Sequence, residues 1–199
     1  AEPTWFVVRN RGVPVGGDMW ANYSKAGLGN TYRAGWDRTT APNSGTNYWN
    51  NTTPTSTLIT VGADGSTNAD GLPMLTYAWA PIQGFSKFGS YEGNGNADGT
   101  FVWTGFRPAF VMTESIDSTS SWHMFDNKRE GFNAADGATF GNNALVAEAT
   151  SAETATNLID ILSNGFKMRV STDPNVAETY IYMAFAEAPF VNSNGVPCN

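Results

Sequence analysis

"TYIYMAFAEAPF", Thr179 to Phe190, sets Tyr180, Tyr182, Ala184 and Ala186 on one side and Ile181, Met183 and Phe185 on the other. A period of two is that of a β-strand, and two apolar sides predict a strand covered on both faces. Upstream, "TYAWAPI" at Thr76 to Ile82 echoes it. The echo extends outward. "PTWFVV" from Pro3 returns as "PAFVMT" from Pro108, 105 residues on, and "WANYSKAGLGN" from Trp20 returns as "WHMFDNKREGFN" from Trp122, 102 on. Ala78 of "YAWAP" meets Ala184 of "YMAFAEAP" at 106. Three segments in one order at nearly constant spacing predict two related units, about 3–82 and 107–190.

The intervening stretch, Gln83 to Phe106, has no partner in the first unit. It predicts two strands, "KFGSY" and "TFVWTGF", joined as a hairpin by "EGNGNADG". The expected division is therefore 1–82, a first β-sandwich unit lacking that leading hairpin, 83–190, a second unit including it, and a tail over 191–199. The absent strands are expected upstream of Ala1 or borrowed from another segment or subunit. "IDILSNGFKMRV" predicts a hairpin turning at Asn164-Gly165, and "AEATSAETAT", Ala147 to Thr156, is the one stretch with a helical look.

Short strands separated by turn residues predict an all-β antiparallel β-sandwich of jelly-roll type. Composition agrees: 13% aromatic and 15% charged residues with 21 Gly and 10 Pro suit strands and turns. A net charge of -7 with scattered basic residues argues against a nucleic-acid partner. No apolar run reaches the ~20 residues of a membrane-spanning helix. The chain starts at Ala1 without Met, so upstream processing or truncation is expected. The single cysteine, Cys198, excludes an internal disulfide framework. Low charge leaves sheet edges poorly protected, so a homo-oligomer is expected.

Catalytic signals are weak. The one histidine, His123 in "SWHMF", is expected as a half-buried strand residue, and no nucleophile elbow accompanies it. Glu114, Asp117 and Glu130 stand in polar, loop-like text and are expected on the surface. The Asp-Gly pairs at Asp64, Asp70, Asp98 and Asp136 are turn chemistry, with calcium at Asp70 or Asp98 as the sharper alternative. No other cofactor is expected.

The repeat sorts the aromatics. Trp5, Trp20, Tyr23 and Trp79 match Phe110, Trp122, Phe125 and Phe185, so these are expected in the core. Trp36, Tyr48 and Trp49 are unmatched and stand among Asn, Thr and Gly, with Asn50 and Asn51 beside them. They are expected outside, against a neighbouring subunit or stacked on sugar rings, with ordinary loop packing as the third reading.

"FSKFGSYEGNGNADGTFVWTGFRPAFVM", "SSWHMFDNKREGFN", "NLIDILSNGFKMRV" and "ETYIYMAFAEAPF" together resemble a repeated module of virion proteins from marine bacteriophages, including cyanophages. In the first unit "YWNNTTPTSTLITVGADGSTNADG" carries the same likeness. The resemblance implies a concanavalin-like sandwich on the virion surface, in a tail fibre, adhesin or decoration protein, with other virion proteins as partners. It brings no active site. The expected function is non-enzymatic: an adhesin-type virion protein that recognises host-surface glycan. A purely structural decoration protein and a glycan depolymerase are the alternatives.

Overall fold

A computed structural model describes residues 1–12, 19–129, 143–154 and 156–189. It is all-β, with antiparallel sheets packed as a sandwich. The strands are β1 (Trp5–Asn10), β2 (Ala21–Ser24), β3 (Tyr32–Gly35), β4 (Asn43–Ser44), β5 (Met74–Trp79), β6 (Ser86–Glu92), β7 (Phe101–Trp103), β8 (Pro108–Ser115), β9 (His123–Asp126), β10 (Leu145–Val146), β11 (Ile159–Leu162), β12 (Gly165–Met168) and β13 (Thr179–Ala186). They form a first sheet ordered β4-β3-β2-β1-β5, a second ordered β10-β9-β8-β13-β6, and a third ordered β11-β12-β7.

The repeated text fixes the strand register. In the first sheet Trp5 pairs with Ser24 and Trp79, and in the second Phe110 pairs with Asp126 and Phe185. One step along, Phe6 pairs with Tyr23 and Ala78, and Val111 pairs with Phe125 and Ala184. The sequence offsets of 105, 102 and 106 are thus the offsets between two equivalent three-strand ladders, β2-β1-β5 and β9-β8-β13.

Like faces of these sheets meet. Trp5, Leu28 and Ala34 of the first pack with Met112, Trp122, Ile181 and Met183 of the second in one core. Tyr180, Tyr182 and Ala184 point the other way, into a core with Phe166 and Met168 of the third sheet. Both faces of β13 are covered, as its alternation requires. On the far side of the first sheet no further sheet stands among the described residues. Phe6, Val8 and Tyr23 pack instead on Tyr48 and Trp49 of a coil over residues 45–67.

Three local expectations need correction. β6 and β7 do not form a hairpin: β6 joins β13 in the second sheet and β7 joins β12 in the third. Their connection is a corner held by Asn175, whose side-chain amide donates to Asn94 Oδ1 at 2.9 Å, Asn96 O at 2.8 Å and Val170 O at 2.7 Å. The β11-β12 hairpin exists, but it turns at Ser163-Asn164. Gly165 is a strand residue, where a Cβ would collide with the carbonyl oxygen of Val102 on β7. Residues 147–154 form a turn and coil and no helix. Backbone and hydroxyl of Thr154 both donate to Ala144 O at 3.0 Å, closing the excursion into a loop. Glu130, Asp136, Phe190, Cys198 and the tail 191–199 lie outside the described residues.

Candidate functional site

The expected outward trio divides. Trp49 is 0% exposed. Its ring meets Phe6 at 4.9 Å and Tyr23 at 5.9 Å edge-on, and its indole nitrogen donates to Tyr32 O at 2.7 Å. Tyr48 is buried too, under the Arg33 guanidinium at 4.3 Å. The expectation of exposure is overturned for both. Among the described residues the first sheet has no partner sheet on this face, and the coil inserts large rings to exclude water where the second unit uses strands. Gly62 lets the coil close, because a Cβ there would strike Asn47 O. Asn50 and Asn51 are exposed, at φ of 50° and 49°. Two successive left-handed residues reverse the chain after Trp49 and leave the amides in water.

Trp36 takes another place. It is half-buried at the seam between the first two sheets and lines a cavity of about 390 Å³ with Trp20, Asp37, Tyr77, Trp79 and Ala147. Trp20 and Tyr77 lie 6.4 Å apart at an interplanar angle of 17°, and Tyr77 and Trp79 lie 6.2 Å apart at 28°. Trp36 tilts against Trp79 at 5.8 Å. Tyr77 is 48% exposed. Asp37 accepts from the Trp20 backbone at 3.2 Å and stands 3.9 Å from Arg9, whose guanidinium covers the Trp20 ring at 4.9 Å. Three nearly parallel rings with a carboxylate at their rim offer flat apolar faces and a hydroxyl acceptor together.

Core placement was expected for Trp20 and Trp79: Trp79 is half-buried against the inter-sheet core, whereas Trp20 is half-buried outside it, and the expectation is corrected there. Trp122, the sequence counterpart of Trp20, is 0% exposed in the inter-sheet core, so matching positions do not have matching depths. The usable signal was Tyr77. Its ladder counterpart is Met183, so it too is an aromatic without an aromatic match.

Asp37 also borders a larger groove of about 810 Å³ that reaches His123, Glu148 and Glu153. Behind it lies a buried titratable cluster. Glu114 belongs to β8, 1% exposed, and not to a surface loop. Neither of its carboxyl oxygens has a hydrogen-bond partner among the described residues. Burial, reinforced by the charges of Glu148 and Asp173, pushes this carboxyl up to about 10. His123 is buried on β9, its Nδ1 3.9 Å from Asp173. Burial pulls its pKa below the ordinary value, with Asp173 opposing. Ser, His and Asp meet here, but Ser120 gives its hydroxyl to both oxygens of Asp173, at 3.1 and 2.9 Å, leaving no serine–histidine bond to activate a nucleophile.

The calcium candidates find no support. Asp98 holds Lys167 Nζ at 2.7 Å and lies 3.9 Å from Arg169, so cations of the chain occupy its carboxylate. Its hydrogen bond with Lys167 keeps it below the usual carboxylate range. Asp70 is exposed in a turn, and no group of three His, Cys, Asp or Glu side chains placed to hold a metal occurs among the described residues. Asp64 does turn work, accepting from Ser66 N at 2.9 Å and from Arg33 at 3.1 Å. No helix among the described residues is long and apolar enough to cross a membrane.

No curated protein and no solved structure matches the chain. Residues 1–189 match the model of a family described as "Domain of unknown function (DUF7483)", and with nearly its whole length covered the chain belongs to that family.

Proposed function

We propose that this chain is an adhesin-type recognition module on the surface of a phage particle, holding host-surface glycan in the Trp20–Trp36–Tyr77–Trp79 groove while packing on other virion subunits. The observation that carries glycan recognition is the set of three nearly parallel rings beside Asp37, open to solvent at Tyr77. Rings held rigid by a sheet lose little entropy when a sugar stacks on them, and a carboxylate at the rim selects hydroxyl donors. The virion setting rests on the resemblance of the repeated motifs.

A glycan array followed by titration calorimetry tests it. The parent binds, and Trp20→Ala and Tyr77→Ala each weaken binding about tenfold or more, a loss of about 1.4 kcal/mol or greater. Trp103→Ala, an exposed ring on β7, leaves binding unchanged. Absence of binding in the parent would reject the glycan reading. A decoration protein with purely structural contacts is the second reading, favoured by the rings of Phe101 and Trp103 on β7, 44% and 60% exposed.

A further inference from the structure

The two equivalent ladders differ at one edge. In the second sheet β13 is bonded on both sides, to β8 and to β6. Among the described residues its counterpart β5 is bonded to β1 alone and ends the first sheet. The carbonyls of Pro73 and Trp79 accept from Arg11 and Thr4, on the β1 side, at 2.8 and 3.0 Å. Alternation along an antiparallel strand then turns the N–H and C=O groups of Met74, Thr76 and Ala78 to the open side. The 106-residue offset makes these the equivalents of Tyr180, Tyr182 and Ala184, which pair with Tyr91, Gly89 and Lys87 of β6. Where one half of the molecule has a strand, the other has an edge with no partner strand among the described residues.

That edge carries none of the usual protection. "MLTYAW" has no charge and no proline. Thr76, Tyr77 and Ala78 are exposed, and Leu58, 60% exposed, borders a cavity with Ala78 and Trp79 on the same margin. The other sheet-end strands do not match it. β6 carries Lys87 and Glu92, β11 carries Asp160, β4 and β10 have two residues each, and β7 has three. A six-residue uncharged edge is best complemented by its own copy.

We propose that β5 pairs antiparallel with β5 of a second copy of this chain, joining two first sheets into one ten-stranded sheet across a two-fold axis at Tyr77. Facing residues must lie on the same side of a sheet, and the outward groups belong to Thr76 and Ala78. The register centred on the exposed run Thr76–Ala78 sets Thr76 opposite Ala78 and Tyr77 opposite Tyr77. It sets the two aromatic grooves side by side, although the pairing does not depend on what the grooves bind.

The full chain is tested by sedimentation equilibrium and light scattering. The parent is a dimer. Thr76→Lys/Ala78→Lys, two exposed substitutions that place like charges across the seam, is a monomer with an unchanged circular dichroism spectrum. In a Cys198→Ser background, oxidised Tyr77→Cys gives a cross-linked dimer, because a central non-bonded pair stands about 4.5 Å apart at Cα, within disulfide reach. Thr76→Cys in that background does not cross-link. A monomeric parent, a dimer that survives the lysine pair, or a dimer that Tyr77→Cys fails to cross-link overturns the proposal. Trp20→Ala, which removes a groove ring that is not part of β5 and leaves its outward backbone groups untouched, leaves the dimer intact, so loss of glycan binding and loss of pairing are read separately.

Discussion

The indole nitrogen of Trp122 donates to the carbonyl oxygen of Gly35 at 2.8 Å, a buried hydrogen bond that ties the residue just before β9 to the last residue of β3 across the seam of two sheets. The same ring packs edge-on against Trp5 and Trp36, both 6.2 Å away. Trp122→Ala is expected to destabilise the chain by about 3–5 kcal/mol. Trp122→Phe keeps much of the apolar area and orphans the carbonyl, at about 1–3 kcal/mol. Urea unfolding followed by circular dichroism measures both, and a Trp122→Phe variant as stable as the parent would show that the bond adds nothing.

Trp49 provides the converse of its outward reading. A ring wedged onto Phe6 and Tyr23 should cost about 3–5 kcal/mol when cut to alanine. Glycan affinity per folded molecule should stay unchanged, because the groove opens on the opposite face of the first sheet. Affinity titration of the folded fraction beside a denaturation curve separates the two effects.

The pair Glu114 and His123 makes stability fall on both sides of a maximum. Glu114 keeps its proton in the fold up to about pH 10, whereas the unfolded chain releases it near the ordinary carboxyl value of 4.5. Stability is therefore full below that value and declines as pH rises toward 10, by at most about 1.4 kcal/mol per pH unit. His123 is held neutral, so below its ordinary value of 6.5 the unfolded chain takes up a proton that the fold refuses, and stability declines with acid. Thermal melts across pH should show Glu114→Gln flattening the alkaline limb and His123→Gln the acid limb. A Glu114→Gln variant whose alkaline slope matches the parent's would contradict this.

Asn51 holds a left-handed conformation at φ 49° that costs a side chain roughly 1–2 kcal/mol, and asparagine tolerates it best after glycine. Asn51→Gly should leave the melting temperature nearly unchanged, and Asn51→Val should lower it.

Much of the fold was legible because a ladder register repeats as text. Period two in Tyr180–Phe185 put the correct residues on each side of β13, and the three offsets carried the pairing of six strands. What stayed hidden depended on contacts between distant segments. Nothing near Trp49 announces that its coil closes over β1 and β2, since the missing layer is a property of the whole sheet stack. Trp20 and Trp122 occupy one repeat position, yet only Trp122 meets a facing sheet, through Gly35. "MTESIDST" reads as polar surface, but Glu114 is carried inward because β8 runs on beside β13 to pair with Ile181. The groove was legible in part: Trp36 was named, whereas Trp20, Tyr77 and Trp79 come together only through the placement of β5 at the sheet edge.

The coil over residues 45–67 carries a consequence for how such a chain can change. Among the described residues no β-ladder links it to β1, β2 or β5, so its length is not geared to theirs. Lengthening it between Asn50 and Leu58 would alter the outline of the molecule while every inward residue beneath stayed inward. An odd insertion inside β12 would instead turn Phe166 and its neighbours inside out. Divergence among relatives should accordingly concentrate in this coil, the part of the chain least bound by the geometry of its neighbours.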